Sequence, residues 1–295
     1  MKREERKTWA AMLLCLMVIA CSGAGAWLRI ASGIATAAAM EVEEAAATET
    51  PLPEIPTPEN DRSFRVEVIR QTPEPQLPPK RILIYHTHTY EAYCQVPESP
   101  YVETEKWRSR DESANVIAVG RALAASLTAL GFEVVHDCTA FEPPELSSSY
   151  TRSLSMLEER QRNGETYDLY IDLHRDAIAA ASTIKRTVQI GGQEVARFMV
   201  LIGKGTGTGY DVKPDWEANL VIAQQITDNL NRQHEDLCRE IKLKSGRFNQ
   251  HIAPHAVLIE CGNNYNTLEQ VLNGVPYLAQ AISDAMNVTP EEISE

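Results

Sequence analysis

Residues 81–93 read RILIYHTHTYEAY. The run Ile82-Leu83-Ile84-Tyr85 has no polar interruption. A strand buried on both faces of a parallel sheet is written this way, whereas an arm of a surface hairpin alternates apolar and polar residues. The run stops at His86 and His88, and Glu91 follows. Open α/β sheets carry their chemistry at the carboxyl ends of the strands, so imidazoles and a carboxylate delivered there mark a functional loop. The spacing His88-Thr89-Tyr90-Glu91 lets a nitrogen and a carboxylate reach one cation, which points to zinc held by two His and one acid with a position left for water.

Outward from this stretch, strand and helix patterns alternate. Helical spacing of Val116, Val119, Leu123, Leu127 and Leu130 predicts a helix over 113–130, stopped by Gly131. A strand over 132–136, a helix over 146–162 and a strand over 167–173 ending on His174 follow. Lys185–Ile190 and Arg197–Ile202 flank Gly191-Gly192 and read as a hairpin. The glycine-rich 203–209 lacks the Walker spacing and reads as a loop. Helices over 214–233 and 267–286 bracket a strand over 255–259 that ends in Glu260. The order predicts an α/β fold: a single, mostly parallel sheet with helices on both faces, forming one domain over 80–290.

Ahead of that domain, Lys2, Arg3, Arg6 and Lys7 precede an uncharged run from Trp9 to Leu28, about 20 residues, the length a bilayer core requires. Residues 1–30 are therefore expected to be a membrane anchor, a single transmembrane helix with its N-terminus in the cytoplasm and the catalytic domain outside. Competing readings are lipidation at Cys21 and cleavage as a signal peptide near Ala35–Ala39. Residues 31–79 are rich in Pro, Glu and Ala. So few large apolar residues cannot offset the entropy of ordering, which makes this an extracytoplasmic linker. Phe64, Val66 and Val68 alternate within it and suggest an edge strand.

The formal net charge of −13 excludes a partner read through phosphates, so no nucleic acid is expected. Cys15, Cys21, Cys94, Cys138, Cys238 and Cys261 include no C-x-x-C pair, and read by default as small hydrophobes rather than a disulfide framework.

A parallel sheet aligns its strand ends, so His86, His88 and Glu91 can meet His174-Arg175-Asp176 and Glu260 on one edge. A zinc hydrolase needs imidazole or carboxylate ligands, an open position and a further carboxylate that takes a proton from water. Glu260 suits that last part, because an acid ending the apolar run Ala256–Ile259 is costly to bury without a partner. Glu91 also reads as a solvated loop acid, and Arg175 as a partner of Asp172 or Asp176.

Taken together, HTHTYEAY, DLHRDA, DWEANLVIAQQI, RFNQ and IECGNNYNTLEQ, in that order over about Lys80–Ser283, resemble the stage II sporulation protein P family, membrane-anchored cell-wall hydrolases of endospore-forming bacteria. The resemblance implies a zinc N-acetylmuramoyl-L-alanine amidase with a carboxypeptidase-like fold, acting on peptidoglycan, with cleavage within the stem peptide also attributed to the family. Further implied are work during engulfment at the cytoplasmic membrane, stage II sporulation protein D as partner, and a membrane protein that anchors the complex. Carried onto this chain, the motifs imply His88 as a zinc ligand with His86 as the alternative, His174 as the second, and Glu260 as the catalytic acid-base. For the third ligand Glu91 stands against Asp111 or Glu112. Arg175, Arg247 and Asn249 are implied as groups for the substrate carbonyl or oxyanion. Cys261-Gly262-Asn263-Asn264 departs from the family's Ile-Gly-Gly turn. A zinc carboxypeptidase or endopeptidase of wall peptides, or a non-catalytic wall-binding module, are the alternative functions.

Overall fold

A computed structural model of the chain describes residues 78–207, 212–213 and 215–287. The expected anchor, nearly all of the linker, Cys15, Cys21 and the alternating Phe64–Val68 segment lie outside these residues. Among the described residues no helix is long and apolar enough to cross a membrane.

The strands are β1 (Arg81–Tyr85), β2 (Glu133–His136), β3 (Leu169–Asp176), β4 (Thr187–Ile190), β5 (Gln193–Ala196), β6 (Phe198–Gly203), β7 (Lys242–Lys244) and β8 (Ala256–Asn263). Six of them form one sheet in the order β2-β1-β3-β8-β6-β7. The first four are mutually parallel, β6 runs antiparallel to β8, and β7 runs parallel to β6. The sheet is therefore mixed, with a parallel block that carries the predicted strand ends.

The hairpin differs from its sequence reading. Gly191 and Gly192 both have positive φ, 59° and 83°, the requirement of a two-residue turn whose twist matches its strands. Such a turn leaves no slack, so Ile190 pairs with Gln193 and the second arm is β5. Phe198–Gly203, buried throughout, enters the main sheet instead, because a continuous apolar run needs cover on both faces.

Helices α1 (Val116–Ala129), α2 (Ser149–Arg162), α3 (Trp216–Gln233), α4 (Leu268–Leu272) and α5 (Val275–Asn287) complete the domain. Asn115 caps α1 by accepting the Ile117 N–H, and Gly131 at φ 95° follows its end. The expected single last helix is two. A Thr267–Gln270 capping box opens α4, and the chain breaks at Gly274, where a Cβ would stand 2.7 Å from Phe198 Cζ.

Side-chain parity divides the core. Ile82 and Ile84 join Leu169, Ile171 and Leu173 in a large cluster with Leu123 of α1, Ile226 of α3 and Ile282 of α5. Leu83 and Tyr85 point the other way, with Tyr170 and Leu157 of α2. Each of these fully buried aliphatic side chains contributes roughly 1.5–3 kcal/mol. Helices thus cover both faces, and Asp172 and His174, in step with Tyr170, fall on the α2 side. Cys94, Cys138, Cys238 and Cys261 are all free thiols.

Candidate active site

His86 continues the parity of Ile82 and Ile84 and enters the face covered by α1. Its Nδ1–H donates to the Leu173 carbonyl at 2.9 Å, and its Nε2 lies 2.8 Å from His136 Nε2. A carbonyl only accepts, so His86 carries its proton on Nδ1 and His136 donates to its Nε2. Burial lowers His86 to about 3 and His136 to about 4, so both rings are neutral. Both nitrogens of His86 are used away from the α2 side. The strand has ended before His88, and a turn over 87–90 takes that ring to the opposite face. There its centroid lies 5.3 Å from His174 and 5.5 Å from Tyr150. An extended strand would set His86 and His88 on one face; here they lie on opposite faces because period two holds only while the strand continues.

His174 and Glu260 sit within their strands rather than after them, directly paired across β3 and β8. His174 lies between two carboxylates: Nδ1 is 3.4 Å from Glu91 Oε2, and Nε2 is 2.9 Å from Asp172 Oδ1, off the line of a well-aligned hydrogen bond. Burial alone would lower its pKa, but Asp172 and Glu91 raise it well above the ordinary imidazole range. Glu91 moves in the opposite direction: burial would raise it, and His174 and Arg175 hold it below the usual carboxylate range. Burial, with the charges of Glu91 and Asp176 adding to it and those of His174 and Arg175 opposing it, pushes Glu260 up to about 8, and its Oε2 is buried with no hydrogen-bond partner. A carboxyl poised near neutrality can both accept and return a proton.

Arg175 meets this group through its backbone, whose N–H donates to Glu91 Oε2 at 2.9 Å. Its guanidinium donates to the carbonyls of Asp176 and Trp107, each at 3.2 Å, and Nε is buried without a partner. Asp111 and Glu112 lie elsewhere: both are exposed, Asp111 accepting from Ser113 and Glu112 pairing with Arg121. Asn249 is buried and donates to Tyr150 O and Ser153 Oγ, which makes it a brace for α2.

Three residues escaped sequence reasoning. Asp172 is buried beneath His174, Thr87 binds Asp172, and Glu142 accepts the Tyr90 N–H and pairs with Arg108 while lying 3.9 Å from His88 Nδ1. Asp172 had a legible signal, an acid inside the apolar run YDLYIDL, by the same cost of burial that singled out Glu260.

The donors match a zinc site in kind and in part in spacing. Two ligands sharing a tetrahedral zinc stand about 3.4 Å apart, the separation found between Glu91 Oε2 and His174 Nδ1. His88 stands beside this pair, its Nδ1 buried without a hydrogen-bond partner, and burial lowers its pKa to about 4, the neutral state a ligand needs. Among the described residues no group of three or more His, Cys, Asp and Glu side chains is spaced as a complete cage.

The family model described as Stage II sporulation protein P matches residues 29–283. Stage II sporulation protein P of Bacillus subtilis (strain 168) is 24% identical over 216 residues, which are 70% of this chain and 51% of that protein. The chain thus spans about half the length of this curated relative. Similar solved structures include the CwlD amidase from Clostridioides difficile in complex with the GerS lipoprotein, at 18% identity and TM-score 0.43, covering 70% of this chain and 96% of that one. Another is the catalytic domain of CwlV, an N-acetylmuramoyl-L-alanine amidase from Bacillus (Paenibacillus) polymyxa var. colistinus. It has 14% identity, TM-score 0.41 and the same coverage, 70% and 96%.

Proposed function

Because the chain belongs to the stage II sporulation protein P family, we propose that it is a zinc-dependent peptidoglycan hydrolase that cleaves the N-acetylmuramoyl-L-alanine amide bond during sporulation. The observation that carries this is the meeting of His88, Glu91, His174 and Glu260 at one end of β3 and β8. His174 Nδ1 and Glu91 Oε2, 3.4 Å apart, are groups that can share one cation, which would take the place of the proton that the neighbouring carboxylates hold on His174.

In this reading His88, Glu91 and His174 would hold zinc, which would supply polarisation of the substrate carbonyl and acidification of the attacking water. Glu260 takes a proton from that water and returns it to the leaving amide nitrogen, splitting the C–N bond with one water consumed. Arg175 orients Glu91 through its N–H and is assigned the developing oxyanion through Nε. Residues 1–30 anchor the chain, 31–79 link it to the catalytic domain of 80–290 outside the cytoplasmic membrane, and stage II sporulation protein D and an anchoring membrane protein belong to the same proposal.

The test is mass spectrometry of isolated sacculi digested by the full-length chain. The expected product is free lactyl groups with intact stem peptides. A released terminal amino acid or an internal peptide break would replace this reading with the carboxypeptidase or endopeptidase one, and binding without cleavage with that of a wall-binding module. Glu260→Gln is expected to bind zinc normally and to lose at least about 100-fold in rate.

A further inference from the structure

Tyr150, in the first turn of α2, lies beside His88 and His174 and is gripped by an unusual stretch of backbone. Its ring stands edge-on to His88 at 5.5 Å and to Phe248 at 5.7 Å, and lies parallel to His174 at 6.4 Å with 10° between the planes. Its carbonyl accepts from Asn249 Nδ2 at 2.8 Å. Both residues of that grip, Phe248 and Asn249, have positive φ, 50° and 55°. Asparagine tolerates this region, but a bulky phenylalanine rarely adopts it, and it persists only where surrounding contacts enforce it. A ring that merely fills a core needs no such grip: the Tyr93 hydroxyl donates to the Cys261 carbonyl at 3.0 Å and is used up by the fold. The Tyr150 hydroxyl has no hydrogen-bond partner among the described residues, and the residue keeps part of its surface exposed. Burial raises its pKa, as do the charges of Asp172, Glu91 and Glu260, so the hydroxyl end of the ring is the one that faces the carboxylates of the site.

We propose that Tyr150 is a further catalytic residue of this site, its hydroxyl donating a hydrogen bond to the substrate oxygen that gains negative charge as water adds to the amide carbonyl. A phenol with an ordinary pKa of about 10 keeps its proton at neutral pH and is available as a donor. Such a donor is worth most when it is aimed before the charge develops and is not already engaged by the protein. The grip of Phe248 and Asn249 meets the first condition and the unused hydroxyl the second. No proton leaves Tyr150: its bond strengthens as the carbonyl oxygen becomes an oxyanion and relaxes when the C–N bond breaks and the carbonyl is restored. Tyr150 then acts with Arg175 Nε, two donors to one oxygen. This inference rests on the reading of the site as an amide hydrolase and holds for whichever wall amide is cut.

The test compares the full-length chain in detergent with Tyr150→Phe, which removes only the hydroxyl, on soluble muropeptides with zinc added, counting the amino groups released over time. In the variant kcat is expected to fall at least about 10-fold with KM within about threefold of the wild type. The urea midpoint and the zinc affinity are expected to stay at their wild-type values, because the hydroxyl has no partner in the fold to lose. A raised KM at unchanged kcat marks a contact made equally in the ground state and overturns the proposal. A variant that no longer folds also overturns it, since the hydroxyl would then be bonded within the fold. A wild-type chain that releases no amino groups overturns the reading of the site as an amide hydrolase and this role with it. An active wild type beside an equally active variant overturns the role of Tyr150 alone.

Discussion

His174 and Glu260 occupy one rung of the parallel β3–β8 ladder, so both side chains leave the sheet on the α2 side. A register slip of one residue would send one of them into the large core. The rung is secured by apolar neighbours on the other face, Leu173 and Ile259.

The two histidines of the HTH motif should separate cleanly on substitution. His88→Ala is expected to lose bound zinc with little change in unfolding. His86→Ala is expected to keep zinc and to lose about 1–3 kcal/mol, because it strands His136 Nε2 and the Leu173 carbonyl. Zinc stoichiometry and urea unfolding of both variants check this, and the reverse pattern would exchange their roles.

Gly120 makes room for the His86–His136 pair. A Cβ there would stand 2.5 Å from His136 Nε2 and 2.6 Å from His86 Nε2. Gly120→Ala is expected to destabilise by about 1–3 kcal/mol despite the better helix propensity of alanine. Urea midpoints at constant slope measure it, and a stabilised variant would contradict the packing.

Stability should fall in acid partly through Asp137. Burial would raise its pKa, but the Arg160 hydrogen bond at 2.7 Å and two from Thr139 hold it below the ordinary value. A depressed folded pKa adds stability above the unfolded value of about 3.9, and that contribution disappears as pH falls through the folded one. Asp137→Asn is therefore expected to flatten the decline of the urea midpoint between about pH 5 and pH 3. A variant with the wild-type slope would remove Asp137 from this role.

Chelation offers a direct measure of the metal. Stripping the chain is expected to stop wall hydrolysis and zinc to restore it, and zinc at about 100 times its dissociation constant should stabilise the fold by roughly 2.7 kcal/mol. Calorimetry with and without zinc reads this shift, and identical melting curves would count against zinc as the ion.

The period of the apolar residues by itself determined the α/β alternation, the strands that end at Tyr85 and His136 and the helices around Leu123 and Ile226, and it set His86, His88, Glu91, His174 and Glu260 at or just after strand ends. Such patterns are local, set by backbone geometry over a few residues. Tertiary structure alone decided what depends on contacts between distant segments. It moved Phe198–Gly203 from the hairpin into the main sheet, because an apolar strand needs cover on two faces. It divided the last helix at Gly274 against the ring of Phe198. It also sent His86 and His88 to opposite faces, since strand parity lapses where the strand ends, and placed Asp172 and Thr87 behind His174 through hydrogen bonds spanning 85 positions of sequence.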